Sequence, residues 1–248
     1  MQTITSRKNP LLQHMKKLGR DGAYRASCAE FLCEGGKLYQ EALLQRAPIT
    51  RVLSCDKATA AAHGDLGVFV PQDVLESLST LKTPQTVLFS VKFALSPLPS
   101  LPSRILVLDG MQDPGNVGTM IRTARAFGAD GLILTGRSAD LYHPKTVRAT
   151  MGALFNLSVS TLPYDQLQAF LQKENLPLFG AALGENAHPL PYSFPNRAAI
   201  AIGSEGAGLS QKILSMCIER VQIPMATGVE SLNAAVAGSV LLWELWKT

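Results

Sequence analysis

In the second half of the chain, short apolar runs alternate with amphipathic stretches. Residues 105–109, 132–135, 157–160, 178–182, 199–203 and 220–223 read as strands. Helices fit at about 116–127, 144–153, 163–174, 209–217 and 230–246. Apolar strands separated by helices require a mostly parallel sheet with helices on both faces, an α/β fold. The first half is less regular. A basic helix is expected over about 8–18 and a strand over 30–33. A helix follows Gly35-Gly36, with Leu38, Ala42 and Leu43 on one face. Strands follow at 51–54, 68–70 and 86–91, with a helix opening at Pro71, which makes a small α/β domain ahead of the large one. Between the halves, Pro97, Pro99 and Pro102 interrupt residues 96–103. Proline fixes φ and removes a donor, so this stretch reads as a semi-rigid linker. The expected division is 1–95, a linker at 96–103, and 104–248.

Charged residues make up 17% of the chain and apolar ones 46%, which excludes a disordered polar chain. The net charge of +4 is unevenly placed. Residues 1–100 hold 12 Lys and Arg against 8 Asp and Glu, while residues 101–248 hold 11 of each. Six bases (Arg7, Lys8, Lys16, Lys17, Arg20, Arg25) face one acid, Asp21, in residues 1–25, so the excess lies in an N-terminal basic arm. Cys28, Cys33, Cys55 and Cys217 form no CxxC pair, and His14, His63, His143 and His188 have no ligand spacing. Neither a metal site nor a disulfide framework is expected, and the reading is a reduced, cytoplasmic chain. The N-terminus lacks a secretory apolar region, and no apolar run approaches the ~18 residues needed to cross a bilayer.

Three segments carry candidate chemistry. In the first, strand 105–109 runs through Asp113-Pro114-Gly115 into a helix for which Asn116 is the expected N-cap and Gly128 the stop. Val117, Met120, Ile121, Ala124 and Phe127 gather on one face, and Arg122 points nearly opposite. Ligands of open α/β sheets bind at such strand ends. In the second, strand 199–203 enters Gly203-Ser204-Glu205-Gly206-Ala207-Gly208. The spacing fits neither G-x-G-x-x-G nor a phosphate loop, and Glu205 would repel a pyrophosphate. In the third, a strand ends near Pro224 and a long helix starts near Glu230 or Ser231, apolar nearly all round and hence expected to be buried. Ser231 and Asn233, taken as buried, would need partners at its first turn.

Together, Asn116-x-Gly118-x-x-x-Arg122, Gly203-Ser204-Glu205-Gly206-x-Gly208, and Ile223-Pro224-Met225 with Ser231-Leu232-Asn233 resemble the three motifs of the SpoU/TrmH family. These are RNA ribose 2′-O-methyltransferases of the SPOUT superfamily. The likeness covers about residues 105–246, with Arg148-Ala149-Thr150-x-Gly152-Ala153-Leu154-Phe155 resembling the family's middle region. Residues 5–10 and 31–37 resemble the small substrate-binding domain often fused ahead of it. Ala234 and Ala235 depart from the family, which often has Val and Ser there.

The resemblance implies a C-terminal trefoil knot that binds S-adenosylmethionine, and a homodimer through the knot domain. It assigns catalysis to Arg122, Asn116, Glu205, Ser231 and Asn233. Cofactor contacts fall to Gly203, Ile223, Met225 and Leu232, with Trp243 and Trp246 read as interface packing. RNA contacts are expected at Arg7, Lys8, Lys16, Lys17 and Arg148. The implied activity is methyl transfer to a ribose 2′-hydroxyl of structured RNA, with ribosomal RNA favoured by the N-terminal module. Transfer RNA and a non-catalytic ribosome-assembly role are the alternatives. A small-molecule enzyme is demoted by the glycine spacing. Whether Arg122 serves its own site or the partner's is left open, as is the proton acceptor.

Overall fold

A two-residue strand, β1 (Gln2–Thr3), opens the chain in a computed structural model that describes residues 2–93, 97–184, 186–229 and 231–247. After it come α1 (Pro10–Arg20), α2 (Gly22–Cys28), β2 (Glu30–Glu34), α3 (Gly36–Leu44), β3 (Ile49–Ser54), α4 (Lys57–Ala61), β4 (Gly67–Phe69), α5 (Gln72–Glu76) and β5 (Val87–Lys92). The strands form one sheet in the order β1-β4-β3-β5-β2, with β5 antiparallel to both neighbours and the remaining pairs parallel. The basic arm is not free. Asn9 caps α1 by accepting from the Leu11 amide at 2.9 Å, and Pro10 supplies the preset first φ. Leu12, Met15 and Leu18 then enter the core beside Leu32, Leu53 and Leu88. Arg25 is buried, pairing with Asp140 at 2.5 Å and donating to the Leu18 carbonyl at 2.7 Å. Arg7 pairs with Asp73 at 3.0 Å.

The elements of the second sheet are β6 (Arg104–Asp109), α6 (Pro114–Ala126) and β7 (Gly131–Thr135). Next comes α7 (Pro144–Ala149), then β8 (Ser158–Thr161), α8 (Tyr164–Lys173), β9 (Leu178–Ala181), β10 (Ala187–Pro189), β11 (Ala198–Gly203), α9 (Gln211–Met216), β12 (Glu219–Gln222) and α10 (Ala234–Trp246). The order is β10-β12-β9-β11-β6-β7-β8, and every recorded pairing is parallel. On one face Ile105 and Val107 pack with Leu167 and Leu171 of α8 and Ile213 of α9. On the other, α10 packs on α6 and β11, where a Cβ on Gly238 would come within 2.7 Å of the Met120 sulfur.

Three expectations change. The segment Asp140–Phe155, α7 included, belongs to the first compact unit with Met1–Ala94, while Leu95–Ala139 and Asn156–Thr248 form the second. Its anchor is apolar. Val147 is fully buried with Phe31, Phe89 and Val91, worth on the order of 1.5–3 kcal/mol, and Tyr142 stacks on Phe93 at 3.9 Å. The proline stretch, expected as a semi-rigid linker, is anchored in the second unit: Leu98 packs in that unit's core and the Leu101 amide donates to Glu174 at 2.7 Å. Ser96 lies outside the described residues. Lastly, α10 is not buried all round, because Val236, Val240 and Trp243 are exposed in the single chain.

Candidate active site

Asp113, not Asn116, caps α6: its Oδ1 accepts from the Asn116 amide at 2.9 Å. Pro114, with its preset φ and no N–H to satisfy, occupies the first helical position, so the helix begins earlier than expected. That releases the Asn116 side chain, whose Nδ2 donates to Glu205 Oε1 at 2.9 Å. Glu205 stands on the loop after β11. The loop doubles back through Ser204 and Gly208, whose amides donate to each other's carbonyls at 3.2 and 2.9 Å. A Cβ on Gly203 would lie 2.1 Å from the Gly208 carbonyl carbon, so the loop closes only over glycine.

The third contributor comes from the start of α10. Asn233 caps it, accepting from the Ala235 and Val236 amides at 3.0 and 3.2 Å. Its Nδ2 donates to Glu205 Oε1 at 2.5 Å and to Asn116 Oδ1 at 3.3 Å, and the Ala234 amide reaches the same Oε1 at 3.3 Å. Three donors therefore converge on one carboxylate oxygen. Glu205 Oε2 has no partner among the described residues and stays available as an acceptor. Ser231 and Asn233 are exposed rather than buried, because the helix starts at Ala234 and the chain before it is surface loop. Glu230 lies outside the described residues.

Beside this cluster is a cleft of about 130 Å³. Ile223, Met225, Leu232 and Ser231 line it, together with residues 181–183, Val221, Gln222 and two side chains of α10. Its walls are largely apolar. The amides of Leu183, Ile223, Met225 and Leu232 have no backbone partner among the described residues. Apolar walls with free loop amides suit an apolar nucleoside face and its polar edge, so the residues present fit S-adenosylmethionine. Gly203 does not line the cleft; its own loop demands the glycine. The contribution of residues 181–183 and 221–222 carried no motif, although they follow strand ends where α/β ligands bind.

A wider recess of about 920 Å³ opens at the carboxyl ends of β6, β7, β8 and β11, with Gln112, Arg137, Ser204 and Lys212 on its walls. Its floor is held by the buried Asp109, which accepts from the Tyr164 hydroxyl at 2.8 Å and the Ser210 amide at 2.7 Å.

Arg122 is in neither set. It is exposed on α6, about 9 Å along the axis from Asn116, with no hydrogen bond or ion pair among the described residues. In the first unit Lys8 is exposed, Lys16 is half-buried and Lys17 sits 5.3 Å from the Tyr24 ring centre. Arg148 is half-buried and donates to Thr80. Among the described residues no cluster of His, Cys, Asp and Glu could hold a metal, and no helix is long and apolar enough to cross a membrane. Burial pushes the Cys217 thiol up to about 11 and Cys33 well above its usual range, so neither is a thiolate nucleophile at neutral pH.

This architecture is that of RNA methyltransferases. The AdoMet-bound rRNA methyltransferase of Sinorhizobium meliloti superposes with a TM-score of 0.90 at 27% identity, covering 99% of this chain and 97% of that one. The SpoU methyltransferase AviRb of Streptomyces viridochromogenes, solved with AdoMet, gives 0.87 at 27% identity over 97% and 98%. The profile of the SpoU rRNA Methylase family matches residues 103–243, and the chain belongs to that family. The 23S rRNA (guanosine(2553)-2′-O)-methyltransferase RlmP of Bacillus subtilis is 30% identical over 99% of both chains.

Proposed function

We propose that this protein is a cytoplasmic enzyme that methylates a ribose 2′-hydroxyl of ribosomal RNA, using S-adenosylmethionine. The observation that carries the reading is the meeting of three separate segments, where Asn116 and Asn233 converge on the Glu205 carboxylate beside an apolar cleft. When bound, S-adenosylmethionine supplies an electrophilic methyl group on a sulfonium centre. Ile223, Met225 and Leu232 hold it by walls and backbone, with Gly203 shaping the adjoining loop. Glu205 Oε2 accepts from the ribose hydroxyl, fixes its angle and receives its proton as the 2′-oxygen is methylated, assisted by Ser231, while Asn116 and Asn233 immobilise the carboxylate through Oε1. Such positioning accounts for roughly 7–11 kcal/mol of a barrier of this kind.

The Arg122 guanidinium already carries its full set of protons and offers only donors, so it cannot take the proton of the hydroxyl. Standing about 9 Å along α6 from Asn116, it acts electrostatically, stabilising the alkoxide that develops at a 2′-oxygen within its reach, in its own site or in that of a partner protomer. Arg7, Lys8, Lys16, Lys17 and Arg148 contact RNA phosphates. Two further properties belong to this reading. The chain returns from β12 at one side of β9 to α10 against α6 and β11, a path that supports a trefoil knot. Val236, Val240 and Trp243, exposed at helical spacing along α10, support a homodimer through that helix, checked by light scattering of the wild type against Trp243→Glu.

The decisive experiment maps 2′-O-methyl positions in RNA from cells with and without the gene, alongside calorimetry with S-adenosylmethionine. One ribosomal RNA position losing its methyl is the expected result. A position lost from transfer RNA instead would replace the substrate. No lost position and no cofactor binding would overturn the reading.

A further inference from the structure

A groove of about 510 Å³ lies wholly within the first unit. Three cations line it: Arg20 at the end of α1, Lys82 on the loop after α5, and Arg148 on α7. No carboxylate is among its lining residues; Glu34 lies beneath, 5% exposed. That buried carboxylate shapes the groove by tying down the loop. It accepts from the Ser79 hydroxyl, from the Thr80 amide and hydroxyl at 3.2 and 3.4 Å, and from the Gln85 amide at 3.5 Å. Thr80 in turn accepts from Arg148 Nη1 at 2.8 Å.

Arg148 is thus half-buried and held at a single nitrogen. Its remaining N–H groups have no partner among the described residues, in a guanidinium whose five donors form a rigid fork. His143 adds a further donor at the rim. Its Nδ1 accepts from the Lys145 amide at 3.1 Å, which leaves the proton on Nε2. Burial, reinforced by the charge of Arg25, holds this imidazole below its ordinary pKa, so it is a neutral donor at pH 7. Segment 140–155 is fixed in place by the Arg25–Asp140 pair, so the donors are set before any ligand arrives.

We propose that this groove is a subsite for a backbone phosphate of the RNA substrate, gripped by the free edge of Arg148 with Lys82 and Arg20 flanking it. Three cations over one buried carboxylate leave a net positive concavity, and a half-buried guanidinium with unmet donors is completed by two oxygens of a phosphodiester. Thr80 is a positioning residue that aims Arg148. The inference rests on the RNA methyltransferase reading.

The test uses the full-length protein and deproteinised total ribosomal RNA in filter binding, between about 50 and 200 mM NaCl. Arg148→Gln and Lys82→Gln are each expected to weaken binding roughly tenfold at low salt. Each should also reduce the slope of log K against log salt by about 1. Arg46→Gln, an exposed cation away from the groove, is expected to bind as wild type. Thr80→Val should weaken binding and Thr80→Ser restore it, with S-adenosylmethionine affinity unchanged in all of them. If Arg148→Gln also lowers the melting temperature, Lys82→Gln, on an exposed chain, decides. Wild-type affinity and slope in both groove variants would overturn the subsite alone. A wild-type protein that binds S-adenosylmethionine but no ribosomal RNA would overturn the substrate reading, and the subsite with it.

Discussion

The two units hold their surface loops by different means. In the first, buried charges do it: Glu34 ties down the 79–85 loop, Arg25 fixes the 140–155 segment, and Glu30 joins β2 to β3 through Thr50. In the second, the loops that carry the candidate site are held by a glycine that admits a close backbone approach and by two carboxamides on an exposed carboxylate. An exposed cluster can lose a member without leaving a charge stranded in the interior, whereas a buried charge cannot lose its partners cheaply. Stability and function should therefore separate in the second unit and travel together in the first.

The largest effect that sharpens this contrast is expected from Glu205→Ala. It removes the atom on which Asn116, Asn233 and the Ala234 amide converge, and also the free acceptor. Methyl transfer to ribosomal RNA should fall about 100–1000-fold, or about 3–4 kcal/mol. The melting temperature and the S-adenosylmethionine dissociation constant should stay close to wild type. A comparable fall in melting temperature would mean that the cluster is part of the fold rather than of the site. Gly203→Ala tests the other device. Its methyl would enter the Gly208 carbonyl, where backbone must shift, at a cost of about 3 kcal/mol. Thermal unfolding followed by tryptophan fluorescence reads this, because Trp243 and Trp246, both in the second unit, are the only tryptophans in the chain.

In the first unit, Glu34→Ala should cost about 1–2 kcal/mol of stability, since the loop donors it leaves unpaired are partly exposed and can rehydrate. RNA affinity should fall in the same variant, because Thr80 no longer aims Arg148. Loss of stability with unchanged RNA binding would break the link between the buried charge and the groove.

How far the sequence was readable follows the same division. Four of the second unit's strands, β6, β7, β9 and β11, are apolar runs almost wholly buried, and with β8 and β12 marked by their spacing between helices, six of the seven were located to within a residue or two. The exception, β10, is three residues long and mostly exposed, and carries no apolar run. In the first unit β1, α2 and α4 left no pattern, because pairing and packing rather than periodicity define elements of two to seven residues. Site residues were readable where a side chain acts: Asn116, Glu205 and Asn233 meet. They were not readable where backbone acts, as at residues 181–183, or where a distant segment completes a groove, as Lys82 does beside the expected Arg148. The α6 cap was misread because Asn116 and Asp113 are equally good caps by type, and only Pro114 decides between them.

The smallest expected effect is an acid sensitivity confined to the first unit. Burial pushes the Glu30 carboxyl up. Hydrogen bonds from Ser90 and Thr50, with the charges of His14 and Lys92, outweigh that, and its pKa lies below the ordinary value of 4.5. A carboxylate whose folded pKa is depressed stabilises the fold fully above its unfolded value and loses that contribution as pH falls through the folded one. On acidification below about pH 4.5, far-ultraviolet dichroism, which sees both units, should therefore begin to change before tryptophan fluorescence, which sees only the second. Glu30→Gln keeps the shape and some hydrogen bonds but cannot titrate, so it should lower stability slightly at pH 7 and flatten the acid limb. Coincident acid transitions by both probes, or an unchanged limb in Glu30→Gln, would show that the two units share one acid response and that buried charge does not set them apart.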